Sequence, residues 1–499
     1  MTRPKLLLFA VISTIVALAL LESAARVAEF LYPDQRKRQA VSQTVIPPKE
    51  AGTFRILTYG GSTMAGSPLR PVSFVSQLRF WLKELNPELP VEVINLGDGG
   101  TRSEHVRREV ERTREDNADL IVVMTGHNEF LGGPGVERPL MKRLVKELEI
   151  FALFRVQSRA VRWLRSKLVE DTQIWQRDSE AFRALEVRYI ENLEAIVRIA
   201  AAEQVPLILM TLASNLADWP PATPGVRSDQ SVDAEYTASL AEATRLLAEG
   251  PAAVDGLREL LASRPDDASL LYLLGRAHRT AGDTDVARDL FVRAKDLDPV
   301  PWRVLSEFNE AIRAAAAADG VELVDIEALF ERNAEDGFVG FPLIADNVHP
   351  TPIGSTLIAR ELVRVMRARG LFGMRDIGSH SPAEQLDRFL SQFSPDERRD
   401  LDLTYLLKNG RYTMKEPFYN FAASKMYLEL AREADSSDWR VWANLATVSL
   451  LEGRNNAGRA ELRRALALHD GPINPDDREN TPYLRSALER SGVVLAEME

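Results

Sequence analysis

A serine, a histidine and an aspartate stand in this sequence where they could together activate a hydroxyl. Ser62 closes the stretch FRILTYGGS, residues 54–62, an apolar run that meets two glycines. Asp346 and His349 lie almost three hundred residues later, in Asp346-Asn347-Val348-His349-Pro350. A serine hydroxyl is a poor nucleophile until a base takes its proton, and that base needs its other ring nitrogen held by an acceptor. Ser62 as nucleophile, His349 as base and Asp346 as orienter could fill those three roles. The three-residue spacing of Asp346 and His349 lets one short turn aim both side chains inward. Gly60 and Gly61 supply backbone free of Cβ crowding, which suits a sharp exit from a strand and close approach of a substrate.

Such chemistry also needs donors for a developing oxyanion, and two loops offer them. Leu96-Gly97-Asp98-Gly99-Gly100-Thr101 follows the β-rich run 91–95 and can present a backbone N–H. Thr125-Gly126-His127-Asn128-Glu129 follows the buried-type run 119–124, and Asn128 can offer its side-chain amide. Asn95, Asn128 and the glycines also serve as turn formers. What that reading leaves unexplained is why three successive strand ends carry hydrolytic residue types.

Of the six histidines, only His127 and His349 fall in strand-end loops. His105 sits in a charged helical run, His278 in a repeat motif, His380 in a polar linker and His469 at a repeat's end. His349, with Asp346 before it and Pro350 after it, is the better base; His127 is expected to line the pocket, to support it from behind or to lie at the surface. The chain has no cysteine, which excludes a thiol nucleophile, thiolate zinc sites and disulfides. No metal or organic cofactor is implied.

These blocks resemble those of the SGNH, or GDSL-like, serine hydrolase family. The first block reads Gly60-Gly61-Ser62-Thr63, the second Asn95-Leu96-Gly97 with Gly100 and Ser103 following, the third Gly126-His127-Asn128-Glu129, and the last runs from Asp346 to Pro350. The resemblance covers about residues 53–216 and 300–371. It implies an esterase or acylhydrolase with Ser62 as nucleophile, His349 as base and Asp346 as its orienter. It also implies an oxyanion hole built from the N–H groups of Ser62 and Gly97 and the Asn128 side chain. Gly61, Thr63, His127 and Glu129 become candidate pocket residues. Gly61 stands where the family usually has an aspartate before the serine, and Glu129 where an aspartate usually follows the asparagine. Both could reshape the pocket without removing a reacting group.

The elements that must position these residues alternate. Strands are expected near Arg55, near Val91, near Leu120 and over 206–212; helices are expected over 72–85, from Ser103 to Asn117 and over 180–204. This alternation specifies an α/β fold, a parallel sheet with helices on both faces, flavodoxin-like in the family resembled. Ligands in such folds sit beyond the carboxyl ends of the strands, where Ser62, Gly97 and Asn128 fall.

At 499 residues the chain has room for about three domains. A hydrophobic share of 45% is ample for packed cores, and a formal net charge of −11 argues against a nucleic-acid partner. The hydrolase part is expected over 53–220 and 301–372. An all-α insertion is expected over 230–300, because Leu274, Gly275, His278, Gly282, Ala287, Phe291, Ala294 and Pro299 fall at tetratricopeptide spacings. One period earlier, Ala253, Leu257, Leu260 and Pro265 occupy corresponding places. A C-terminal helical region over 385–499 repeats the pattern at Trp442, Leu445, Ala446, Gly453, Gly458, Leu462 and Ala465, with Ala423 and Tyr427 marking a degenerate neighbour. So few units seldom stand alone, so these regions should pack on each other or on the hydrolase, and they offer a face for a protein partner.

The run from Leu6 to Leu21 is uncharged and almost wholly apolar, follows Arg3 and Lys5, and is closed by Glu22. It reads as a membrane anchor over 1–25 or a cleavable signal, followed by a proline-containing tether over 26–52. Either reading puts the bulk of the chain outside the cytoplasm, in the periplasm or at the cell surface, and secreted if the segment is cleaved. A basic amphipathic stretch over 138–169 could lie on a membrane or over an acyl pocket, or pack as an ordinary helix. Two function classes follow: a membrane-tethered esterase acting on a lipid or an envelope glycan, with O-acetyl transfer or deacetylation as subclasses, and a repeat-based scaffold whose hydrolase domain no longer turns over.

Overall fold

The computed structural model describes residues 46–131, 175–222, 234–370, 375–415 and 418–495. The apolar run at residues 6–21 and the basic stretch at 138–169 lie outside them. Among the described residues no helix is long and apolar enough to cross a membrane.

Five strands form one parallel sheet: β1 (Phe54–Gly60), β2 (Val91–Asn95), β3 (Leu120–Met124), β4 (Leu207–Met210) and β5 (Val321–Val324), in the order β2-β1-β3-β4-β5. β3 and β4 are buried along their whole length, which is why they read as unbroken apolar runs rather than alternating ones. β5, an edge strand, was not legible in the sequence. It is four residues long, and its half-buried Glu322 pairs with Arg369 instead of continuing an apolar pattern.

The sheet is wound in two directions from β1. The chain steps to β2 on one side, then crosses to β3 on the other and continues outward to β4 and β5. Right-handed crossovers therefore put α2 (Phe74–Leu85) on one face and α3 (Ser103–Arg112), α4 (Glu180–Ala202) and the later α9 (Ser306–Ala315) on the other. The packing agrees: α3 and α9 both lie against α4, whereas α2 lies against α11 (Pro352–Ala368). The crevice beyond the strands' carboxyl ends opens between β1 and β3, where the direction reverses.

Helix ends differ from expectation for local reasons. Ser73 caps α2 by accepting from the Ser76 N–H, so Val72 stays in the preceding turn. Helix α3 stops at Arg112 because the chain must reach Asn117, whose φ of 55° lies in the left-handed region; Gln204, with a φ of 56°, likewise ends the chain's run beyond α4.

The insertion contains α5 (Ala234–Leu247), α6 (Ala253–Ala262), α7 (Ala268–Ala281) and α8 (Thr284–Asp296), packed over a core that includes Leu257, Leu271, Leu274 and Phe291 and takes in Ala217 and Phe338 of the α/β part. Gly275 lets α7 and α8 meet, since a Cβ there would lie 3.0 Å from the Phe291 ring. His278 belongs to this packing, its Nδ1 lying 2.9 Å from Asp283 Oδ2. The Ala222 N–H donates to Asp298 Oδ2 at 3.2 Å, so the insertion leaves and rejoins the α/β part at one point.

After α10 (Ile326–Asn333) and α11, the C-terminal region runs through α12 (Pro382–Leu390), α13 (Pro395–Met414), α14 (Phe421–Ala434), α15 (Trp439–Leu451), α16 (Asn455–Leu468) and α17 (Leu484–Ser491). Ser381 and Ser394 start α12 and α13 with capping boxes completed by Glu384 and Glu397. The region packs on the α/β part. Phe389 stacks edge-on against Phe80 of α2 at 5.5 Å, and the Tyr427 hydroxyl donates to the Ala345 carbonyl at 2.6 Å, beside the 346–349 turn.

Candidate active site

The three residues first singled out meet at the sheet's carboxyl edge. His349 Nε2 lies 2.7 Å from Ser62 Oγ, and His349 Nδ1 lies 2.6 Å from Asp346 Oδ2. Ser62 is the first residue of the short helix α1 (Ser62–Ala65) that follows β1, and it is half-buried while its partners are buried. The chain can turn here only because of the two glycines. A Cβ on Gly60 would lie 2.2 Å from the Met124 carbonyl oxygen, and one on Gly61 would lie 2.6 Å from Asn128 Nδ2.

The acid and the base share one turn. Asp346 Oδ1 accepts from the Val348 and His349 N–H groups, each at 2.8 Å, and the Ala345 N–H donates to the His349 carbonyl at 2.7 Å. Burial pushes the Asp346 carboxyl up, but the adjacent His349 and these hydrogen bonds outweigh it and hold the group below its ordinary value. Asp346 is thus an anion aimed at the imidazole, which fixes the proton on Nδ1 and leaves Nε2 to accept from Ser62. Asn347 ties the turn to the 298–305 loop by donating to the Trp302 carbonyl at 2.9 Å.

On the oxyanion side, Asn128 Nδ2 donates to the Thr101 carbonyl at 2.9 Å. One amide hydrogen is used there, and the second is left for a substrate. The Gly97 assignment needs correction. Its N–H is already taken by Asn95 Oδ1 at 2.9 Å, and a Cβ on it would lie 2.5 Å from the Ala65 nitrogen. Gly97 is a packing glycine that lets the β2 loop press on α1. Gly99 is the loop residue facing Ser62, its would-be Cβ 4.0 Å from Ser62 Cβ. The N–H groups of Ser62, Gly99 and Gly100 have no acceptor among the described residues.

Two of the candidate pocket residues are spent on architecture. Glu129 is buried and accepts from the Ser103 N–H at 2.7 Å and from Ser103 Oγ at 2.9 Å. It therefore holds the first turn of α3 and locks the β2 loop to the end of β3; burial raises its carboxyl above the ordinary value. His127 accepts from the Val304 N–H at 3.1 Å through Nδ1. Its burial, reinforced by His349, drives its pKa down to about 3, so it is a neutral strut and not a second base. Thr63 is buried behind Ser62, and Gly61 lies under the Asn128 amide.

The pH consequence of His127 has a definite sign. Its folded value lies below the ordinary imidazole value of about 6.5, so the unfolded chain binds more protons between about pH 6.5 and 3, and stability falls as pH drops through that window. His127→Gln should flatten the fall of the melting temperature between about pH 6.5 and 4, followed by calorimetry; an unchanged slope would mean that His127 titrates normally in the folded protein.

One neighbour was missed altogether. The Tyr412 ring of α13 lies 5.6 Å from the His349 ring, edge to face. Its only sequence signal is an aromatic-rich stretch at residues 412–421, which carries no indication of where the tail docks.

No protein-family model matches the chain, and no curated relative does. Solved structures with a similar course include Axe2, an acetylxylan esterase from Geobacillus stearothermophilus, at 14% identity and a TM-score of 0.33, covering 66% of this chain and 100% of that one. LAE5, an alpha/beta hydrolase enzyme from the metagenome of Lake Arreo, Spain, matches at 13% identity and a TM-score of 0.31, covering 65% and 98%. The acetyl xylan esterase AlAXEase matches at 13% and 0.30, covering 62% and 99%. At these scores the chemistry of the site rests on its own geometry.

Proposed function

We propose that this chain is a serine esterase or acylhydrolase of the SGNH type. The observation that carries the reading is the unbroken relay from Ser62 Oγ through His349 to Asp346, at 2.7 and 2.6 Å. The strand order 2-1-3-4-5, flavodoxin-like, and the placing of the nucleophile at the switch between β1 and β3 support it. Ser62 Oγ attacks the ester carbonyl carbon while its proton passes to His349 Nε2. The oxyanion is met by the Ser62 N–H, the free Asn128 amide hydrogen and the Gly99–Gly100 segment. Collapse breaks the bond to the alcohol oxygen, which takes the proton from His349 and leaves an acyl-Ser62. Water, giving its proton to His349, then attacks the acyl carbon; collapse breaks the bond to Ser62 Oγ, which takes that proton back from His349 as the acid leaves. A sugar hydroxyl in place of that water would make the same site an acyl transferase.

A fluorophosphonate should label purified protein at Ser62, located by peptide mass spectrometry, and labelling elsewhere or none would overturn the reading. In that event the tetratricopeptide-like helices would be the functional part and the chain a scaffold.

The apolar run at residues 6–21 is proposed to tether the enzyme outside the cytoplasm. The full chain should sediment with membranes and a chain starting at residue 31 should not; equal distribution of the two would end the tether.

A further inference from the structure

The C-terminal helices reach the catalytic base. Tyr412, in the last turn of α13, stands against His349, and behind it the Phe418 ring lies 5.2 Å from Tyr412 and 5.3 Å from both Trp219 and Trp302. Tyr412, Phe418 and Trp302 are half-buried and so keep open surface. Into this aromatic wall projects Lys415, its Nζ 4.0 Å from the centre of the Tyr412 ring and 5.3 Å from that of Phe418.

Lys415 is half-buried and forms no ion pair or hydrogen bond through its ammonium among the described residues. Burial lowers its pKa, while the Asp346 carboxylate pulls it back up. A partly desolvated cation is costly unless an anion or a ring face compensates it, and ring faces compensate only in part. The carboxylate that acts on it, Asp346, is committed to His349 and two backbone N–H groups.

The direction of approach follows from the chemistry. His349 must hand its proton to the departing alcohol, so whatever sits against His349 faces the alcohol side of the ester and not the acyl side. We infer that Tyr412 and Lys415 form a subsite for a negatively charged group, a carboxylate or a phosphate, on the alcohol portion of the substrate. This inference rests on the hydrolase reading and adds to it a substrate class: esters of anionic alcohols. The aromatic wall receives the carbon skeleton of the alcohol, and the ammonium receives its charge.

The test uses the full chain and two chromogenic acetates, 4-nitrophenyl acetate and its 3-carboxy derivative, which differ by one carboxylate on the leaving group. The wild type should favour the anionic ester in kcat/KM, and the preference should shrink as salt is added. Lys415→Met should lower the anionic-to-neutral ratio about 10-fold, the scale of one charge-assisted hydrogen bond, and Lys415→Arg should restore most of it. Melting temperatures of the variants check that the fold survives. A ratio unchanged in Lys415→Met, or equal losses on both esters, would overturn the subsite while leaving Ser62-dependent hydrolysis standing. Hydrolysis that survives Ser62→Ala would overturn the hydrolase reading itself, and the subsite with it. Acetylated oligogalacturonate and a short-chain phosphatidylglycerol then separate the two sources of charge: a Lys415-dependent rate on the first points to an acidic glycan, on the second to a phospholipid headgroup.

Discussion

Ser62→Ala and His349→Ala should each abolish ester turnover, by about 10⁴-fold or more in kcat, because the nucleophile and its base act as one unit and neither retains value without the other. Asp346→Asn should leave a remnant. In the variant, the side-chain oxygen can still accept from the Val348 and His349 N–H groups, which puts the new NH₂ against His349 Nδ1. That NH₂ donates where the carboxylate accepted, so the imidazole proton moves to Nε2 and the ring can no longer take a proton from Ser62. A drop of roughly 10³–10⁴-fold with an intact fold is therefore expected. Steady-state kinetics on 4-nitrophenyl acetate checks all three, and full activity in His349→Ala would show that another group is the base.

Asn128→Ala should cost roughly 10²–10³-fold in kcat with little change in KM, the mark of a donor used in the transition state rather than in binding. The amide is held in place from two sides, by the Thr101 carbonyl at 2.9 Å and by the Cβ-free surface of Gly61. Asn128→Asp should be worse than alanine, since a carboxylate would repel both the Thr101 carbonyl and the oxyanion. Single-turnover acylation rates separate this from a slower product release. An Asn128→Ala enzyme within about threefold of the wild type would mean that backbone donors suffice.

The sequence was most informative where the chemistry is local. The Asp346-x-x-His349 turn is legible because its hydrogen bonds run between residues two and three apart, and the Gly60-Gly61-Ser62 exit is legible because only glycine fits between β1, Met124 and Asn128. The loop 96–101 shows the limit. Three glycines there look equivalent on paper, and which N–H stays free depends on Asn95, whose side chain closes back on Gly97. Glu129 and His127 were placed correctly at a strand end, yet their side chains turn toward Ser103 and Val304, partners set by packing between distant segments. Tyr412 and Lys415 were beyond reach for the same reason. Helical periodicity predicts that the tail folds as helices, but carries nothing about which of its faces lands on the hydrolase.

The junction held by Ala222 and Asp298 has a consequence for how this chain can change over evolutionary time. A module whose two ends touch can be lengthened or exchanged at its far side while the chain entering and leaving it stays where it is, provided the shared contacts of Ala217 and Phe338 with it are kept. The five-stranded sheet then keeps its register while the module's outer helices are remodelled. A variant in which a short glycine-rich bridge joins the two ends, with Phe338 made polar to cover the face it exposes, is the natural starting point for learning what the module adds.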